Sequence, residues 1–79
     1  MEFEKVEFVS AFYDDYCGEV FYVFDTIPKI GHGGWAISSG GDVAYDLFCD
    51  RLLQSDYPNE LIFLTNYIPE SVEIDGLED

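Results

Sequence analysis

Hydrophobic and polar positions alternate loosely near the N-terminus. In residues 3–13, one face carries the apolar side chains Val6, Phe8 and Phe12. The opposite face carries Lys5, Glu7, Val9 and Tyr13. A period of two predicts a β-strand with one face in water. Residues 14–18 follow with two aspartates and a glycine, a composition that predicts the turn of a hairpin.

The next apolar segments predict two further strands. Residues 19–25 are almost all β-branched or aromatic, which indicates a central strand covered on both faces. Residues 26–34 contain one proline and three glycines, so we expect a loop there. The short apolar segment 35–38 predicts a third strand.

Residues 42–55 show the period of a helix. At about 100° per residue, an apolar arc is formed by Val43, Ala44, Leu47, Phe48 and Leu52. Either Ser39 or Asp42 would cap the N-terminus of this helix. On its other side, Asp42, Asp46 and Asp50 fall within an arc of about 80°. We call these three residues the acidic ridge, and we expect an amphipathic helix.

The C-terminal third predicts one more buried strand and an acidic end. Residues 60–68 are strongly apolar, and Pro69 ends the segment. Residues 70–79 contain five acids and predict a short acidic edge strand or tail. The order is then β-β-β-α-β, an α+β fold whose antiparallel-rich sheet of four or five strands carries one helix on one face. At 79 residues, the chain (1–79) is expected to form a single domain.

Charge is the most unusual property of the chain. Seventeen Asp and Glu residues oppose three Lys and Arg residues, which gives a net charge of -14. Solubility of a small domain needs a magnitude of only about 2 to 8. Nucleic acids and anionic membranes are excluded as direct partners because phosphates are bound by Lys and Arg. A basic, nucleic-acid-binding protein is the natural complement. With 48% hydrophobic residues, the chain is too apolar to be a disordered acidic tail.

Candidate catalytic and metal-binding residues do not form a known site. His32 is the only histidine, and it lies in a glycine-rich segment with no Ser or Cys nucleophile near it in sequence. Two cysteines and one histidine match no zinc motif, and residues 14–19 lack the ligand spacing of a calcium loop. The glycines match no phosphate-binding fingerprint. We therefore expect no enzyme activity, no metal and no cofactor.

The cellular compartment follows from the N-terminus and the cysteines. The N-terminal residues are acidic and alternating, unlike a secretory signal, and no apolar run approaches the roughly 20 residues that span a bilayer. We expect a cytoplasmic protein that contacts no membrane. Its two cysteines, Cys17 and Cys49, are then expected to be reduced.

Three groups of acids are candidates for partner binding. On a helix, the acidic ridge would space its carboxylates about 6 Å apart, which crudely imitates a nucleic-acid backbone. The alternative is an ordinary solvent-facing helix surface. The predicted hairpin tip supplies the second group, Asp14, Asp15 and Glu19. The C-terminal acids supply the third, with Glu70, Glu73 and Asp75.

In size, net charge, 18% aromatic content and absence of a catalytic motif, the chain resembles small phage-encoded anti-CRISPR proteins. It resembles in particular the inhibitors of type I Cascade complexes, of the type I-C or I-F groups. The resemblance covers the whole chain and lies in its overall character. It implies stoichiometric inhibition in the cytoplasm of a bacterial host, by a monomer or weak dimer that blocks the surface reading DNA or the protospacer-adjacent motif.

Two other classes share these properties. An immunity protein or antitoxin would neutralise a basic nuclease with the same electrostatics. A phage structural or assembly protein would instead form stable homo-oligomers and have no affinity for nucleic-acid-binding proteins.

Overall fold

A computed structural model of the protein describes residues 3–29, 34–41, 43–47, 51–54 (backbone only) and 63–76. Its strands are β1 (Lys5–Asp14), β2 (Glu19–Ile27), β3 (Trp35–Ser38), β4 (Val43–Asp46), β5 (Arg51–Gln54) and β6 (Ile74–Asp75). They form one mixed sheet in the order β5-β4-β3-β2-β1-β6. Strands β1 to β5 are antiparallel neighbours, and the two-residue β6 is parallel to β1.

The predicted α+β fold is wrong, because the region expected to be an amphipathic helix contains two strands. β4 and β5 pair as antiparallel neighbours. The four residues of β4 alternate in burial, with Ala44 and Asp46 buried and Val43 and Tyr45 half-buried. This period of two is that of a strand and not of a helix. Within the described ranges, helical structure is limited to a turn at residues 63–64 and the 3₁₀ turn Thr65–Tyr67.

Ser39, one of the two residues expected to cap the helix, instead lies in a turn after β3, and Asp42 lies outside the described residues. Gly41 has φ of +76°, a conformation that glycine adopts without steric cost, and its N–H donates to the Ser38 carbonyl over 2.9 Å. The Val43 N–H donates to Ser38 Oγ over 3.3 Å. Ser38 therefore satisfies the backbone at the start of β4.

A β-bulge between Phe8 and Ser10 reverses the face of the sheet on which successive β1 side chains lie. Before the bulge Phe8 lies opposite Phe24, and after it Phe12 lies opposite Phe21. A bulge adds one residue to a strand of period two, so the side chains beyond it change face. The expectation that Phe8 and Phe12 share a face is therefore wrong.

The sheet has an apolar cluster on each face. The first contains the buried residues Phe24, Trp35, Ile37, Ala44 and Leu64. Phe8 joins this cluster with its ring edge-on to Phe24, at a centroid distance of 5.7 Å. The second contains Phe21, Val23 and Ala36, and Phe12 stacks on Phe21 at 5.5 Å. Burial on both faces explains why β2 is almost entirely apolar.

The strand predicted over residues 60–68 is also wrong where the chain is described. Residues 63–67 form the short helical and 3₁₀ turns. Leu64 is 1% exposed within the first cluster, and Ile68 packs against the same cluster. The segment therefore covers one face of the sheet instead of extending it. Residues 60–62 lie outside the described ranges.

Candidate protein-binding surface

The β1–β2 hairpin tip holds three of the predicted acids in a defined turn. Asp14 Oδ1 accepts a hydrogen bond of 2.9 Å from the Tyr16 N–H, and the Asp14 carbonyl accepts one of 2.8 Å from the Gly18 N–H. Gly18 has φ of +72°. Asp14 pairs with Glu19 across the hairpin. The predicted turn is thus confirmed, and it brings Asp14 and Glu19 side by side, next to Asp15.

Strand β6 brings two C-terminal acids to the same end of the sheet. Asp75 lies opposite Phe12 of β1, and β6 runs parallel to β1 towards the hairpin tip. With about 4.8 Å between strands and about 3.3 Å per residue, the Cα atoms of Asp75 and Asp14 are about 8 Å apart. We call the combined group, Asp14, Asp15, Glu19, Glu73 and Asp75, the acidic edge.

An open cleft lies between β1 and the β6 segment. It is lined by Ser10, Ala11, Glu73, Ile74 and Asp75. Glu73 and Asp75 are exposed, and Ser10 is the residue at which the β1 bulge ends. Two carboxylates and a hydroxyl are acceptors for a cationic side chain such as Lys or Arg. The cleft is therefore suited to receive a basic residue of a partner.

The acidic ridge does not exist as a helix face. Asp46 is in β4, is 6% exposed and lies opposite Trp35. Four strand spacings, about 19 Å, separate β4 from β6. Asp42 and Asp50 lie outside the described residues. Glu70 is exposed and, being three residues before Glu73, lies within about 10 Å of it.

Both lysines pair at the opposite end of the β1–β2 hairpin. Lys5 Nζ lies 3.8 Å from Glu7 Oε1, and Lys29 Nζ lies 2.5 Å from Asp25 Oδ1. The hydrogen bond from Lys29 is the main cause that lowers the pKa of Asp25. From Glu7 to Asp14, β1 extends for about 20 Å. These two cations therefore lie far from the acidic edge.

Two side chains of this surface were not singled out from the sequence. Tyr16 is 93% exposed at the hairpin tip. An aromatic residue in the middle of a predicted turn was a usable signal for it. Ser10 enters the cleft because of the bulge, for which the local sequence carries no clear sign. Cys17 is a free thiol whose pKa is raised by desolvation and then by the nearby charge of Asp14.

The described residues contain no group of three His, Cys, Asp or Glu side chains placed to hold a metal ion. His32 and Cys49, considered as possible ligands above, are outside those ranges. The same ranges include no helix long and apolar enough to cross a membrane.

Comparison of the chain with protein-family models, with curated proteins and with solved structures found no match. Its function is therefore inferred from its charge, its exposed side chains and the geometry of the acidic edge.

Proposed function

We propose that the protein is a stoichiometric inhibitor that binds a basic, nucleic-acid-binding surface of another protein through the acidic edge. One observation carries the proposal: acids from the hairpin tip and from β6 converge, while Lys5 and Lys29 pair with other acids far away. Concentrated negative charge accelerates association with a positive surface and selects against neutral or acidic partners.

The spacing of the acids supports mimicry of a nucleic acid. Glu73 and Asp75 are two residues apart in an extended segment, so their Cα atoms are separated by about 7 Å. Asp14 and Asp75 are about 8 Å apart, as estimated from the strand pairing. A row of charges at this spacing is what a groove of phosphate-binding Lys and Arg side chains attracts. The acidic edge would occupy that groove and exclude the nucleic acid.

The resemblance to anti-CRISPR proteins makes a type I Cascade complex the first partner to test, at the subunit that reads DNA or the protospacer-adjacent motif. A basic nuclease is the comparison target, since an immunity protein or antitoxin uses the same electrostatics.

The experiment is a competition assay. Labelled target DNA is bound to Cascade, and the protein is added at increasing concentration at fixed salt. We expect DNA to be displaced at near-equimolar protein. The double variant Asp15→Asn/Asp75→Asn should inhibit about three- to tenfold less well, because each exposed ion pair contributes up to about 1 kcal/mol.

The matched control is Glu4→Gln/Glu7→Gln, which removes two exposed carboxylates at the other end of β1. Its inhibition should fall clearly less than that of Asp15→Asn/Asp75→Asn. If both double variants lose inhibition equally, the acidic edge is not the contact. If the parent displaces nucleic acid from neither Cascade nor the nuclease, the proposed function is wrong.

A further inference from the structure

A second exposed feature lies away from the acidic edge and is aromatic. The rings of Phe3 and Phe63 stack with centroids 6.5 Å apart, and Phe63 meets Tyr67 at 5.5 Å with an interplanar angle of 61°. Phe63 is 48% exposed and Tyr67 is 44% exposed. We call Phe3, Phe63 and Tyr67 the aromatic patch.

Packing of the core does not account for this exposure. Within the same turn, Leu64 is 1% exposed and fastens the segment to the sheet. Phe63 and Tyr67, four residues apart, meet each other and keep about half of their surface in water. Exposed apolar surface is unfavourable by about 25 cal/mol per Å², so a partner group that covers these rings would gain free energy from their burial.

The charged residues around the aromatic patch indicate which chemical group it can bind. The sequence contains no Lys or Arg after Arg51, so the segment carrying Phe63 and Tyr67 has acids as its only charged residues. Glu4 follows Phe3, and Glu70 lies three residues after Tyr67; both are exposed. The two lysines at this end of the hairpin are both paired, Lys5 with Glu7 and Lys29 with Asp25. A cationic group that stacks on aromatic rings would both pair with the acids and cover the exposed rings.

We propose that the aromatic patch binds an arginine side chain of the basic partner. The guanidinium group is planar and weakly hydrated, and it stacks on aromatic faces, whereas the lysine ammonium is compact and strongly hydrated. This inference rests on the proposed function, because it names which basic residue the partner presents. It adds a contact about 30 Å along β1 from the hairpin tip.

The test compares octa-arginine and octa-lysine peptides, which have equal charge, binding to the full-length protein by calorimetry at physiological salt. Arginine also binds carboxylates better, so the measured quantity is the ratio of the two affinities in each variant. Phe63→Leu/Tyr67→Leu keeps apolar bulk and removes two rings. We expect this variant to lower the arginine-to-lysine ratio about two- to fivefold.

Two control variants test whether the change in the affinity ratio comes from the aromatic patch. Asp15→Asn/Asp75→Asn should weaken both peptides and lower the ratio much less than the loss of the two rings does, because only two of the seventeen acids are removed. Tyr16→Leu, which removes an exposed ring elsewhere, should leave the ratio unchanged. An unchanged ratio in the double leucine variant would overturn the proposal. A ratio that falls in Tyr16→Leu instead would overturn the assignment to the patch.

A measurement on the unaltered protein covers the case in which the leucine variant does not fold. In NMR titrations, ring resonances of Phe63 and Tyr67 should move with octa-arginine more than with octa-lysine. Equal movement with both peptides would contradict the proposal. Failure of both peptides to bind would contradict it and the proposed function together. If the protein fails to displace nucleic acid in the competition assay but still prefers octa-arginine, only the proposed function is wrong.

Discussion

At the residue scale, Gly18 controls the geometry of the hairpin tip. Its φ of +72° is costly for residues with a Cβ, although a Cβ there would have no atom within 4 Å. Gly18→Ala should therefore lower the free energy of unfolding by about 1 kcal/mol through backbone strain alone. Gly18→Asn should cost less, because Asn tolerates this conformation. Urea unfolding of both variants measures the difference, and an alanine variant as stable as the parent would contradict the assigned turn.

Asp25 gives a prediction about pH. Its pKa is lowered chiefly by the hydrogen bond from Lys29, with a smaller contribution from the Thr26 N–H and the least from Lys5; desolvation opposes them. Because the folded-state pKa is below the unfolded one, the pair stabilises the fold above the ordinary value of 3.8. That contribution is lost as the pH falls through the lowered pKa.

NMR titration of the Asp25 carboxyl carbon checks this assignment. In Lys29→Gln, the pKa of Asp25 should rise towards its ordinary value. Lys5→Gln is the matched control and should move it much less. The opposite order of the two variants would show that the Lys29 hydrogen bond is not the main cause.

At the element scale, the central and edge strands should differ in their contribution to stability. Ile37 of β3 is fully buried, whereas Ile74 of β6 is half-buried. Ile37→Ala should cost about 2 to 5 kcal/mol through lost burial and the cavity left behind. The same change at Ile74 should cost about 1 kcal/mol, since less surface is lost from the core. Chemical denaturation of the two variants gives the comparison, and equal losses would contradict the edge position of β6.

The first three strands are predictable because their side chains match sheet propensities, and the predicted bounds of β3 are the observed ones, Trp35–Ser38. The stretch after β3 was misread for a physical reason. A window of fourteen residues spans both β4 and β5, and the combined apolar positions of this window fit a helical period. Four residues of alternation are too few to outweigh that fit. Burial of Ala44 in the first cluster and pairing with β3 stabilise β4 as a strand instead of a helix.

At the scale of the whole molecule, repulsion among the acids should make stability depend on salt. The Debye length falls from about 30 Å at 0.01 M to about 8 Å at 0.15 M salt. The molecule is 37 Å long, so this change screens most repulsion between distant acids. We expect the Tm to rise over this range of NaCl. Asp15→Asn/Asp75→Asn should show a smaller rise, and a flat or falling Tm in the parent would contradict the prediction.

The candidate site was only partly predictable. Composition alone identified the excess charge, and turn chemistry placed Asp14, Asp15 and Glu19 together. Asp75 comes close to the hairpin tip because β6 pairs in parallel with β1. This contact joins opposite ends of the chain, so local sequence patterns do not predict it. The prediction of the acidic ridge is wrong because it required a helix, and the region contains β4 and β5.

The bulge in β1 also affects how copies of the protein behave towards each other. β6 pairs with only Ala11 and Phe12 on the outer side of β1. The rest of that edge includes exposed Lys5 and Glu7 and a bulge that interrupts regular hydrogen bonding. Charges and bulges on an edge strand discourage strand addition by another chain. The β1 edge is thereby protected against pairing with a second copy of the chain, which is the first step towards intermolecular sheets and fibrils.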